Sequence, residues 1–148
     1  MKLENTIVIV ADLGELKAFE IKKSEGIIDN EVKISHSLEI INDENFIEGR
    51  KKMSELMSDN TGRMGHDTLE EHNAIEEKEN RTLREIAQNI EVIIEQVKPK
   101  QIFLAFPKEH NHQLFDLLNK SVQAIIVKNL PLDLVKSEKN RILEHFVN

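Results

Sequence analysis

The sequence predicts a single α/β domain built on a mixed β-sheet. Three observations point to it: a short apolar run rich in β-branched residues at Thr6–Ala11, alternating apolar and polar segments directly after it, and helix-period segments interleaved with short apolar runs in the second half. The chain has 148 residues, the usual size of one domain. With 39% apolar and 32% charged residues, and only 5 Gly and 3 Pro, the composition is that of a packed globular chain. It is neither disordered nor collagen-like.

Taken in order, Thr6-Ile7-Val8-Ile9-Val10-Ala11 reads as a strand buried on both faces. Asp12-Leu13-Gly14-Glu15 supplies turn chemistry. Leu16 to Lys22 then alternates as a half-buried strand does, giving a hairpin. Ser24-Glu25-Gly26 punctuates, and a third strand fits within Glu31 to Ile41, with Val32, Ile34, His36, Leu38 and Ile40 on one face. Between 42 and 75 the patterning weakens to an insertion or loop. Met53, Leu56 and Met57 suggest a short helix from Arg50 to Met57, and Ser58 to Asp67 reads as an exposed, mobile loop. The strongest element is a helix from Glu76 to Val97, where Leu83, Ile86, Ala87, Ile90, Ile93, Ile94 and Val97 form one apolar stripe closed by Pro99. Gln101 to Phe106 is a buried strand ended by Pro107. A helix over Glu109 to Asn119, a short strand at Ala124–Val127, and a last helix with Ser137 as its N-cap complete the chain. The order β-β-β-α-β-α-β-α, with a long loop before the first long helix, is that of a ribonuclease H-like domain, its last two strands parallel through right-handed crossovers.

Composition excludes several functions. With no Cys there are no disulfides, thiolate nucleophiles, zinc–thiolate sites or iron–sulfur clusters. The apolar run at the start is too short for a signal peptide or a membrane span, so the expected location is cytoplasmic, with no membrane partner. A formal net charge of −7 argues against tight sequence-independent binding of nucleic acid, though not against a local RNA-contacting loop. No Walker loop, dinucleotide fingerprint or nucleophile elbow is visible, and no cofactor or metal is expected.

Four segments, in order, resemble a known family. Val8-Ile9-Val10-Ala11-Asp12 through Phe19 is like its VVADxxxARxF opening. Thr61-Gly62-Arg63 followed by Glu71-His72-Asn73-Ala74 is like its PGR … RHA region. Ile102 to Pro107 is like its LVLVAPP strand, and Asn129 to Leu134 with Leu143-Glu144-His145-Phe146 is like its ending. The family is the bacterial "protein required for attachment to host cells". More distantly, the chain is similar to the middle domain of archaeal and eukaryotic peptide-chain release factors and of pelota. Those factors carry Gly-Gly-Gln in a loop that promotes water attack on peptidyl-tRNA. This chain has Gly62-Arg63-Met64-Gly65-His66 at that place, without an adjacent Gly pair or a Gln.

The resemblance implies a small module acting through protein partners, with the ribosome or tRNA among them. Gly62, Arg63, Gly65, His66 and His72 form the expected functional loop, Gly allowing close backbone approach and Arg63 reaching a phosphate or carboxylate. The alternative is a hydrolase on an RNA or RNA-ester substrate, with His66 or His72 as base and Arg63 as electrostatic stabiliser. Asp12 is a strand-end carboxylate where ribonuclease H-like nucleases place a metal ligand. No second carboxylate is evident after the fourth strand, so Asp12 reads as a turn residue bonding its own backbone. His110 and His112 read as a solvent-facing helix entry. The segment from Asp59 to Glu85 carries a net charge of −4, the wrong sign for gripping RNA unaided.

Overall fold

The computed structural model describes residues 2–46 and 68–147, with the backbone alone at 68–72. Its elements are β1 (Thr6–Ala11), β2 (Glu15–Ile28), β3 (Glu31–Asn45), α1 (Thr68–Val97), β4 (Gln101–Ala105), α2 (Asn111–Leu117), α3 (Lys120–Ile125), β5 (Ile126–Leu130) and α4 (Lys139–Val147). They form a five-stranded mixed sheet in the order β3-β2-β1-β4-β5. β1 pairs antiparallel with β2 and parallel with β4, β2 antiparallel with β3, and β4 parallel with β5. The chain is therefore a mixed α/β protein.

Helices cover both faces, which is why β1 is buried at every position. Alternate residues of β1 divide between two cores. Ile7, Ile9 and Ala11 join Leu16, Ala18, Ile102 and Leu104 against the stripe of α1 (Leu83, Ile86, Ala87, Ile90, Ile93), with Leu114, Leu118 and Val122 alongside. Val8 and Val10 join Phe19, Ile21, Leu38 and Phe103 against Leu134, Val135, Ile142 and Phe146. Phe103 and Phe146 stack at 5.3 Å between centroids. The expected α1 stripe holds through Ile93 and fades at its end, where Val97 is exposed. Lys98 takes positive φ and its N–H returns to the Ile94 carbonyl at 2.8 Å, stopping the helix before Pro99.

Several boundaries differ from the sequence reading. β2 runs through Ser24-Glu25-Gly26 to Ile28, because the turn lies at Asp29-Asn30, both at positive φ. Ile28 pairs with Glu31 across that two-residue loop. On β3, the expected face is formed, but of its five residues only Leu38 is buried. The register shifts between Ala18 and Phe19, leaving Ile41 as the extra residue of a bulge. Of the stretch expected to be weakly ordered, 42–45 belong to β3 and 68–75 to α1, while the Arg50–Met57 helix and the Ser58–Asp67 loop lie outside the described residues. α1 starts eight residues before Glu76 because its first turns carry Glu70, Glu71 and Ala74, good helix formers, without an apolar stripe to reveal them.

The largest correction is an additional helix. The run Ala124–Val127, expected to be a strand, is divided between the end of α3 and the start of β5. Asn119 causes this, since its side chain accepts the Val122 N–H at 2.9 Å and starts a new helix after α2. α2 is correspondingly shorter than Glu109–Asn119. α4 begins at Lys139, so the residue at its cap position is Glu138, whose carbonyl accepts the Ile142 N–H, and Ser137 lies one step outside.

Candidate functional site

The carboxyl ends of β1 and β4 open into a cleft of about 630 Å³, bounded by the turn after β1, Pro107 to His110, and Asp133 with Lys136. In open sheets with parallel strands, such crevices at the strand ends are the usual ligand sites. Here the chain leaves β1 toward β2 and leaves β4 toward β5, on opposite sides of the β1–β4 pair.

Asp12 organises the first wall. One carboxylate oxygen accepts the N–H groups of Gly14 and Glu15, at 2.7 and 2.8 Å, while its own N–H donates to the Glu15 carbonyl. This makes an Asx-type turn that leads β1 into β2. The Phe46 N–H donates to the Gly14 carbonyl, tying the end of β3 to the same turn. The second wall follows β4, where the Phe106 N–H donates to Leu130 and the His110 N–H to Pro107. His110 sits between two helices, its Nδ1 2.8 Å from Gln113 Oε1 and its Nε2 3.5 Å from a Glu79 carboxylate oxygen. It is thus a mostly covered residue of the cleft wall, not the solvent-facing entry expected. His112 is exposed and pairs with Asp116 one turn on. Asn111 anchors the base: its amide donates to the carbonyls of Phe106 and Leu130 and exchanges hydrogen bonds with the Asn129 amide.

The third wall comes from the segment after β5. One Asp133 oxygen accepts the Val135 N–H at 3.2 Å, and the Val135 carbonyl accepts from Lys17 Nζ at 3.1 Å. Burial pushes the Asp133 carboxyl above its ordinary value of 3.8. The Val135 N–H and the Lys136 charge pull the other way, but the negative charge of Asp12 and a hydrogen bond to it add to the rise. Lys108 and Lys136 supply positive charge around this acidic pair.

Asp12 is at the cleft. His72 belongs to α1, where its backbone alone is described, and Gly62, Arg63, Gly65 and His66 lie outside the described residues. Asp133 was not found from sequence, although Leu130-Pro131-Leu132-Asp133 puts an acid just past an apolar run ended by Pro, as Asp12 sits just past β1. Among the described residues, no group of three or more His, Asp or Glu side chains is arranged to hold a metal ion.

Fold and cleft together define a small α/β protein with a polar strand-end site. The chain belongs to the family described as "protein required for attachment to host cells", whose model matches residues 7–146. No curated protein matches it. No helix among the described residues is long and apolar enough to cross a membrane.

Proposed function

We propose that this host attachment family member is a cytoplasmic binding module with a ribonuclease H-like layout, similar to a release-factor middle domain, and that it acts through a macromolecular partner. The ribosome is the first candidate. The observation that carries this reading is the use made of the strand-end carboxylates. Asp12 spends its oxygen on the N–H groups of Gly14 and Glu15, and Asp133 leans on Asp12 and Val135. A carboxylate committed to its own turn is a scaffold group, and the cleft it shapes suits recognition of a polar ligand or side chain. The Gly62–His66 loop is the expected contact with RNA or with a ribosomal protein.

The test is sedimentation of the tagged protein from its own cells through a density gradient at low and moderate salt. Co-migration with ribosomal particles, lost on Arg63→Ala, is the expected result. A species confined to the top of the gradient overturns the ribosomal reading. A second reading, hydrolysis of an RNA ester with His66 or His72 as base, draws support from the Asp133 carboxyl beside Asp12, which burial holds protonated to a higher pH than an ordinary carboxyl. That reading requires Asp133→Asn to abolish turnover while leaving the gradient position unchanged.

A further inference from the structure

β3 is the terminal strand of the sheet, and no described strand pairs with its outer side. It is 15 residues long and contains no Pro. Long open edges present unpaired N–H and C=O groups that template another strand, and proteins usually shorten, kink or cover them. Here Val32, Ile34 and Ile40 are instead 65, 54 and 43% exposed. They share one face with Leu38, and the other face carries Lys33, Ser35, Ser37 and Glu39.

The chemistry of this edge is symmetric about His36. Val32 mirrors Ile40, Lys33 mirrors Glu39, Ile34 mirrors Leu38, and Ser35 mirrors Ser37. We infer that β3 pairs antiparallel with β3 of a second copy of this chain, centred on His36, so that two five-stranded sheets become one. In an antiparallel ladder, residues directly opposite each other lie on the same face with Cβ atoms about 4.5–5.5 Å apart. Centring on His36 puts Lys33 of each copy opposite Glu39 of the other and sets aliphatic against aliphatic on the opposite face. Centring on Ser35 sets Glu31 against Glu39, and centring on Ser37 leaves Lys33 facing Ile41. Registers offset by one residue bring Ile34 against a polar side chain, Ser37 or Glu39. Charge complementarity thus selects one register.

The bulge at Ile41 limits the pairing to residues 32–40. Nine paired positions give roughly 8–10 backbone hydrogen bonds, close to the complement of a typical protein interface. Within one copy, Lys22 lies 3.4 Å from Glu20 and 3.9 Å from Glu39. The partner's lysine at position 33 would extend that row of alternating charge across the junction. The arrangement has a two-fold axis and closes on itself, giving a dimer and not a fibre. This inference stands apart from the cleft and from the choice of macromolecular partner.

Analytical ultracentrifugation of the full chain over a wide concentration range tests it. Wild type should approach twice the 17.1 kDa chain mass. Lys33→Glu sets acid against acid at both symmetric pairs, and Glu39→Lys sets base against base, so each alone should raise the dissociation constant roughly ten-fold or more. Mixed in equal amounts, the two variants regain opposite charges at both pairs and should dimerise again. Circular dichroism spectra matching wild type show that each variant is folded. A wild-type monomer, with or without uptake of a foreign extended peptide, overturns the inference. So does a wild-type dimer that the single variants leave intact, or variants that fail to rescue each other.

Discussion

Phe146→Ala is the most informative single perturbation of the fold. Phe146 is fully buried, stacks on Phe103 at an interplanar angle of 12°, and sits on α4, which closes the second core together with Leu134 and Val135. Lys128 reinforces the pair from β5: its ammonium lies 5.4 Å from the Phe103 ring centroid and donates to the Phe146 carbonyl. Truncating a buried Phe to Ala removes its transfer free energy and leaves a cavity, together about 3–5 kcal/mol. The lost ring pair accounts for roughly 0.5–1.5 kcal/mol of that. Against the 5–15 kcal/mol of a typical domain, this is a large share of total stability. In a domain of this size it corresponds to a drop in Tm of about 10 °C. Phe146→Leu, which keeps most of the volume, should cost about 1 kcal/mol. The assay is urea unfolding followed by circular dichroism, with the slope m compared between variants. A loss below about 1.5 kcal/mol at unchanged m would refute the claim that α4 seals this face. A transition split in two would instead mean that α4 melts as a unit of its own.

Three further predictions concern the cleft. Asp12→Ala leaves the N–H groups of Gly14 and Glu15 without their acceptor and should cost about 1–2 kcal/mol by chemical unfolding, whereas Asp12→Asn keeps an acceptor oxygen and should cost less. Asn111→Ala removes the amide that joins α2 to the end of β4 and to β5 and should cost about 2 kcal/mol, read as a lower denaturation midpoint. Asp133 holds its proton more tightly folded than unfolded, so its contribution to stability is fully present below 3.8 and is lost as pH rises through the folded value. Asp133→Asn has no such loss, so its Tm should gain on wild type as pH rises through that window and stay ahead at neutral pH. Parallel Tm–pH curves would show that the carboxyl does not titrate in this way.

Legibility in the sequence followed the strength of the local signal. β1, β4 and the stripe of α1 are visible because burial on both faces demands unbroken apolar runs, and burial on one helical face demands a 3.6-residue period. The far half of the β2–β3 hairpin is less visible, since Ile27, Val32 and Ile34 face solvent and Gly26 resembles a turn residue. The turn itself is Asp29-Asn30, residue types that tolerate positive φ better than other side-chain-bearing residues. The boundary between α3 and β5 is hidden because a short apolar run suits either structure, and only the Asn119 cap decides. At the site, Asp12 could be placed from the strand before it. Its partner Asp133 lies 121 positions away in sequence, and only the parallel pairing of β1, β4 and β5 brings the two strand ends together.

The central position of β1 also governs how the chain can fold as it is made. Residues 6–11 are synthesised first among the strands, yet their parallel neighbour starts at Gln101, some ninety residues later. At cellular rates of about 5–20 residues per second, β1 waits roughly 5–20 s with one edge open. The second core waits longer, until residues 134–147 have been added. The early meander is therefore a segment that newly made chain must keep from wrong pairings, and withholding α4 should leave it a substrate for chaperones.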